Sequence, residues 1–216
     1  MQVDSLKVSS NQSHIHPDLP ALLQRHTAKP WQPPIAAFNQ RAFNKIEARL
    51  AENPQPLILD SFCGTGHSTA KLAAMHPNHL IVGIDKSAHR LARHPELQTS
   101  NYLLLQAECE PLWMLLIEHG LHLDFHYLLY PNPWPKKAHL KRRIHGHPAF
   151  PMLLTLGGRV ELRSNWQIYV EEFGLAMLLS GVNGCTRRLP PQEPLTLFER
   201  KYHSSGHDLW QYTGTC

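Results

Sequence analysis

"PLILDSFCGTGHSTAKLAAMHPNHLIVGID", residues 56–85, decides the fold. An apolar run ends in Asp60, Gly64 and Gly66 follow, a helical stretch covers 67–76, and a second apolar run ends in Asp85. Apolar runs without polar alternation are strands buried on both faces, and two strands joined through a helix run parallel. Glycine allows a tight turn and a close approach to a ligand, and the helix start offers free N–H groups. An acid ending the second strand of such a unit can accept both hydroxyls of a ribose. It can equally cap the next helix at Ser87. Position 69 is Thr69, so the G-x-G-x-x-G spacing of a dinucleotide site is not met.

The alternation continues outward. Strands are expected at 101–106, 123–130 and 158–164, with helices at 87–94, 110–120 and 166–180 and a broken helix at 138–156. "NGCTRRL" and "HDLWQYT" read as a final antiparallel hairpin. The pattern predicts an α/β fold with a doubly wound, mostly parallel seven-stranded sheet. Upstream, Ile35, Phe38, Ala42, Ile46 and Leu50 recur at helical spacing, and "NPQP" ends that helix. Residues 1–35 hold five prolines and read as an irregular extension before a domain at 36–216. A third strand-end acid, Glu108, has two readings, a partner for an exocyclic amine and an ordinary first-turn acid.

Totals narrow the classes. The chain has 216 residues, 42% hydrophobic and 18% charged, which suits one core-forming domain. Cys63, Cys109, Cys185 and Cys216 form no CxxC pair, and the sixteen histidines complete no ligand set, so no metal is expected. No signal peptide or membrane-spanning run is read, and a cytoplasmic protein is the expectation. The net charge is +4, but its distribution is uneven. Between Phe125 and Val160 there is no acid, while Lys136, Lys137, Lys141, Arg142, Arg143 and Arg159 lie there. A cationic run without interleaved acids suits a polyanion.

That run follows a fourth strand and a proline-rich corner, "YPNPWPKKAHLKRR" (130–143). The block resembles the P-D-P-W-P-K-K-x-H-x-K-R-R signature of the bacterial tRNA (guanine-N7) methyltransferases, within the class I S-adenosylmethionine (SAM) methyltransferases. "GGRVELRSNWQIYV" and "TLFERK" resemble two further family blocks, and the likeness spans about residues 55–213. The resemblance implies transfer of a methyl group from SAM, leaving S-adenosylhomocysteine, to N7 of a guanine in tRNA, by a monomer or homodimer. Asp60, Gly64, Gly66, Asp85 and Glu108 would hold SAM. Asn132 would lie at the reacting centre beside the cofactor. Lys136, Lys137, Lys141, Arg142, Arg143, Asn165, Thr196 and Glu199 would face the RNA. Several positions depart from the family pattern: Phe62 for a glycine, Asn132 for aspartate, Ser164-Asn165 for Thr-Asp, and Leu197 for lysine. Asparagine accepts a hydrogen bond but carries no charge. The departures leave two alternatives, a methyltransferase with a different substrate and a catalytically silent SAM- or RNA-binding paralogue.

Overall fold

A computed structural model describes residues 5–94 and 100–216. The first four residues of the expected extension lie outside the described residues. Eight α-helices and seven strands are described: α1 (Leu19–Ala28), α2 (Ala37–Glu52), β1 (Leu57–Ser61), α3 (His67–Met75), β2 (Leu80–Asp85), α4 (Ala88–Leu91), β3 (Tyr102–Gln106), α5 (Cys109–Glu118), β4 (Phe125–Leu129), α6 (Phe150–Leu156), β5 (Arg159–Ser164), α7 (Gln167–Leu179), β6 (Gly184–Arg188), α8 (Leu197–Ser204) and β7 (Trp210–Thr215). The strands form one sheet in the order β3-β2-β1-β4-β5-β7-β6. β1 pairs in parallel with β2 and with β4, β2 pairs in parallel with β3, and β6 pairs antiparallel with β7. The mostly parallel sheet and antiparallel C-terminal pair are as expected, with α8 inserted between the last two strands.

The residues fall into two compact units. One holds residues 32–94, 100–129 and 152–159. Its central strands β1 and β2 are buried throughout, which explains their unbroken apolar runs. In register, Leu59 lies beside Val82 and Asp60 beside Gly83. Successive strands step from β1 to β2 and β3 on one side, and from β1 to β4 on the other. The winding therefore reverses between β1 and β4, and the crevice at their carboxyl ends is where such sheets take ligands. Ala42, Phe43 and Ile46 form the buried face of α2. Phe38 and Leu50 are only half-buried, so the apolar stripe is turned slightly from the expected one.

The other unit holds residues 5–31, 130–151 and 160–216. Its core is α7, with Tyr169, Val170, Phe173, Ala176 and Met177 buried. The helix ends on Gly181 at φ +84°, and the Val182 N–H reaches back to the Met177 carbonyl. Residues 1–35 were expected to be irregular, yet 19–28 form α1, burying Leu19, Leu22 and Leu23. The prolines misled because one of them, Pro20, stands in the first turn of α1, where its missing N–H has no intrahelical partner to lose. The broken helix expected at 138–156 is two short 3-10 turns, Lys137–Arg142 and Ile144–Gly146, followed by the α-helical turns of α6.

Candidate active site

In the first unit the chemistry gathers at the strand tips. Asp60 is fully buried near the end of β1. The hydroxyls of Ser68 and Thr69, in the first turn of α3, both donate to its Oδ2 at 2.7 Å. Gly83 makes the approach possible, because a Cβ there would stand 2.2 Å from Thr69 Oγ1. Asp60 Oδ1 is buried and has no partner. Burial pushes the Asp60 carboxyl up to about 6; the two hydroxyls oppose the rise and the Asp85 charge adds to it. An ionised carboxylate held this way lacks a positive neighbour.

The loop after β1 turns through left-handed backbone at Phe62, Gly64 and Gly66, with φ of +63°, +63° and +74°. Phe62 thus occupies a conformation natural to the glycine it replaces, at a cost of about 1–2 kcal/mol. Its ring meets Trp113 edge-on at 6.3 Å. At Gly66 a Cβ would come within 2.5 Å of the Leu104 side chain. The Gly64 N–H donates to Asp85 Oδ2 at 3.0 Å, tying this loop to the end of β2. Asp85 Oδ1 accepts from the Ser87 N–H at 2.8 Å, and Oδ2 also accepts from Arg90 Nη1 at 3.1 Å. Ser87, not Asp85, caps α4. Glu108 stands exposed at the N-cap of α5, and its N–H donates to Asn39 Oδ1 at 2.9 Å. Asn39, fully buried on α2, was not foreseen; its signal was an amide on an apolar face. Three acids at successive strand tips, one with a buried unpartnered oxygen, fit a cationic nucleoside.

In the second unit the chain leaves β4 through a strained corner. Tyr130 and Trp134 have φ of +54° and +46°. Exposed Asn132 accepts from the Trp134 N–H at 3.3 Å, a local turn that short polar side chains favour. Beyond it Lys136, Lys137, Lys141 and Arg142 are all exposed, and the Arg142 guanidinium lies 4.8 Å over the Trp134 ring. Arg143 corrects the sequence reading. It is fully buried, pairs with Glu172 at 2.5 Å and lies over Trp166, so no phosphate can reach it. The run of five cations is four outside and one inside, Arg143 being the extended residue that joins the two 3-10 turns.

Thr196 and Glu199 begin α8. Thr196 Oγ1 accepts from the Glu199 N–H at 2.9 Å, a helix cap that sequence reasoning passed over. Glu199 is buried, and both its oxygens accept from Arg163 Nη1, at 2.9 and 3.0 Å. Arg163, a buried cation on β5, is a further residue the sequence reading missed; it also pairs with Glu161. Glu199, Gln192, His203 and His207 line a cavity of about 440 Å³. Half-buried Asn165 lies 3.3 Å from His207 Nδ1. Among the described residues no cluster of three His, Cys, Asp or Glu could hold a metal, and no helix is long and apolar enough to cross a membrane.

Sheet order and acidic strand tips together make this an open, doubly wound α/β sheet with its chemistry at the carboxyl ends of the strands. Solved structures share the fold: the 16S rRNA methyltransferase KamB aligns over 80% of this chain and 93% of its own, with TM-score 0.58 and 21% identity. A 16S rRNA (adenine(1408)-N(1))-methyltransferase of Catenulisporales acidiphilia aligns over 87% and 94%, with TM-score 0.53 and 15% identity. The profile of a family described as "Putative methyltransferase" matches residues 54–212. The tRNA (guanine-N(7)-)-methyltransferase of Acidovorax sp. (strain JS42) is 30% identical over 171 residues, 74% of this chain and 68% of the relative. That of Thiobacillus denitrificans is 26% identical over 192 residues, 84% and 80%. The chain belongs to the tRNA (guanine-N7)-methyltransferase family.

Proposed function

We propose that this protein transfers a methyl group from SAM to N7 of a guanine in tRNA. The reading is carried by the acid-free stretch in which Lys136, Lys137, Lys141 and Arg142 are all exposed, following on the family's proline-tryptophan block. In this reading Asp85 holds the ribose hydroxyls and Glu108 the exocyclic amine. The Gly64–Gly66 loop admits the rest of the nucleoside, and buried Asp60 supplies charge against the cationic donor. SAM, when bound, supplies an electrophilic methyl group.

Guanine N7 carries an in-plane lone pair and loses no proton on attack, so this chain need only place it in line with the methyl carbon. The Watson–Crick edge of guanine presents donors, which Glu199 and Thr196 suit as acceptors. Arg163 Nη1, donating to both Glu199 oxygens, holds that carboxylate in place. Asn132 offers a neutral carbonyl where relatives of this pattern carry a charge, and Asn165 does the same. The four exposed cations meet phosphates by an attraction that carries no sequence information and weakens with salt.

Incubation with methyl-labelled SAM and bulk tRNA, followed by digestion to nucleosides, tests the reading. Label in N7-methylguanosine is expected. Label in another nucleoside, or in protein alone, selects a different substrate. Binding of SAM with no transfer to any RNA leaves a silent paralogue.

A further inference from the structure

Arg143 is the residue the cationic face does not use, and its surroundings give it another task. Its Nη1 donates to Glu172 Oε2 at 2.5 Å. Its Nε and Nη2 both donate to the Trp134 carbonyl at 3.2 Å, and Nη2 also reaches the Lys136 carbonyl at 3.3 Å. Those two carbonyls flank Pro135 within the strained corner, where Trp134 holds a left-handed φ. A guanidinium offers five donors in a rigid plane, so one buried side chain can hold several acceptors at once; an ammonium cannot.

The anchor behind Arg143 is a single carboxylate. Glu172, on α7 and fully buried, accepts four hydrogen bonds. Oε1 takes Gln12 Nε2 at 2.6 Å and the His16 N–H at 2.8 Å. Oε2 takes Arg143 and, at 2.9 Å, His145 Nε2. Burial alone would raise the Glu172 carboxyl, but His145, Arg143 and Gln12 more than reverse this and hold it at about 2. Gln12 closes the circuit, because its Oε1 accepts from Arg143 Nη2 at 3.0 Å. Neighbours of Gln12 touch the corner directly. Ser10 Oγ donates to the Pro135 carbonyl at 2.5 Å, and Asn11 Oδ1 accepts from the Lys137 N–H at 3.0 Å. Three consecutive carbonyls, of Trp134, Pro135 and Lys136, are thus each held by a side chain from outside the corner.

We propose that Arg143, Glu172 and the segment from Ser10 to His16 are positioning residues that lock the Asn132–Lys137 corner in its strained shape for methyl transfer. A strained backbone persists only when its surroundings over-determine it, and these contacts do so. The segment 10–16 is then a working part of the substrate side. The consequence for turnover rests on the methyltransferase reading; the consequence for the corner's rigidity does not.

The test uses the full chain and two variants, Gln12→Leu, which keeps volume and removes three polar contacts, and Arg143→Lys, which keeps charge and removes the fork. Amide hydrogen exchange is followed at Trp134, Lys136 and Lys137, the residues of 134–137 that carry an N–H, and in β1 and β2, alongside calorimetric titration with S-adenosylhomocysteine and steady-state methylation of tRNA. Expected for Gln12→Leu is at least tenfold faster exchange at 134–137 with the strands unchanged. Its kcat should fall about tenfold, with the KM for SAM and the affinity for S-adenosylhomocysteine within twofold of the parent. Arg143→Lys should exceed both losses where it folds. Unchanged exchange at 134–137, or unchanged kcat despite faster exchange, overturns the proposal. A parent that makes no N7-methylguanosine sinks the functional reading instead, and the exchange comparison still decides the lock.

Discussion

Replacing Asp60 by asparagine should make the unliganded protein more stable and the cofactor site worse. The carboxyl moves from 3.8 to about 6 on folding, a rise of about 2. At 1.36 kcal/mol per pH unit this is about 3 kcal/mol. The sign follows from proton counts. Below pH 3.8 both states carry the proton and nothing is lost. As pH rises toward 6 the unfolded chain releases it first, so stability falls, and above 6 the loss is complete. The Asp60→Asn variant lacks this titration, while the amide carbonyl still accepts from Ser68 and Thr69. At pH 7.5 the variant should therefore exceed the parent by up to about 3 kcal/mol, or about 6–12 °C in Tm for a chain of this size. At pH 4 the two should nearly coincide. Differential scanning calorimetry at both pH values, with and without S-adenosylhomocysteine and SAM, reads both effects. The stabilisation that SAM gives the parent should be largely absent in the variant, because the variant lacks the negative charge here proposed to oppose the sulfonium. A variant equally destabilised at both pH values, or one that keeps the parent's SAM affinity, would refute the reasoning.

Other outcomes follow from the same geometry. At position 62 the usual order should invert, with Phe62→Gly more stable than Phe62→Ala by about 1 kcal/mol in urea unfolding, because only glycine accepts φ +63° without strain. His126 is fully buried against Ser61, and burial depresses it from 6.5 to about 3. It therefore stays neutral when folded, and stability should drain as pH falls below 6.5, by up to about 5 kcal/mol near pH 3; His126→Leu should flatten that part of the pH–stability curve relative to the parent. Arg142→Ala should leave Tm almost unmoved but reduce the slope of log tRNA affinity against log salt by about 0.7–0.9; an unchanged slope would remove Arg142 from the RNA face. Asn132→Asp should retain or raise transfer to tRNA, since the turn it makes with Trp134 needs only a side-chain oxygen; a collapse in rate under the nucleoside assay would mean that asparagine is selected for another acceptor.

Much of this protein was legible along the chain because its information is local there. Apolar runs ending in Asp60 and Asp85 located β1 and β2, since a strand buried on both faces has no room for polar alternation. The block at 130–143 identified the family because it is a contiguous string. Where interactions are distant in sequence, the reading failed. Arg143 looked like one more surface cation beside Arg142, yet it meets a carboxylate 29 residues on and an amide 131 residues back. Residues 1–35 looked loose from their prolines, although Gln12 and His16 are buried against α7. Arg163 and Asn39 were overlooked because each stands among other polar residues, and nothing local marks it as the buried one.

The sequence by itself settled the strand order's raw material, the acidic strand tips and the family, because hydrophobic period, glycine placement and motif strings act over a few residues. Only the tertiary structure decided which charges are solvent and which are core. It also showed that Phe62 keeps a glycine's backbone, that Asp60 is left with an unpartnered oxygen, and that Glu172 gathers four donors. Burial and long-range hydrogen bonding depend on what the folded chain brings alongside each residue, and no local spacing encodes that.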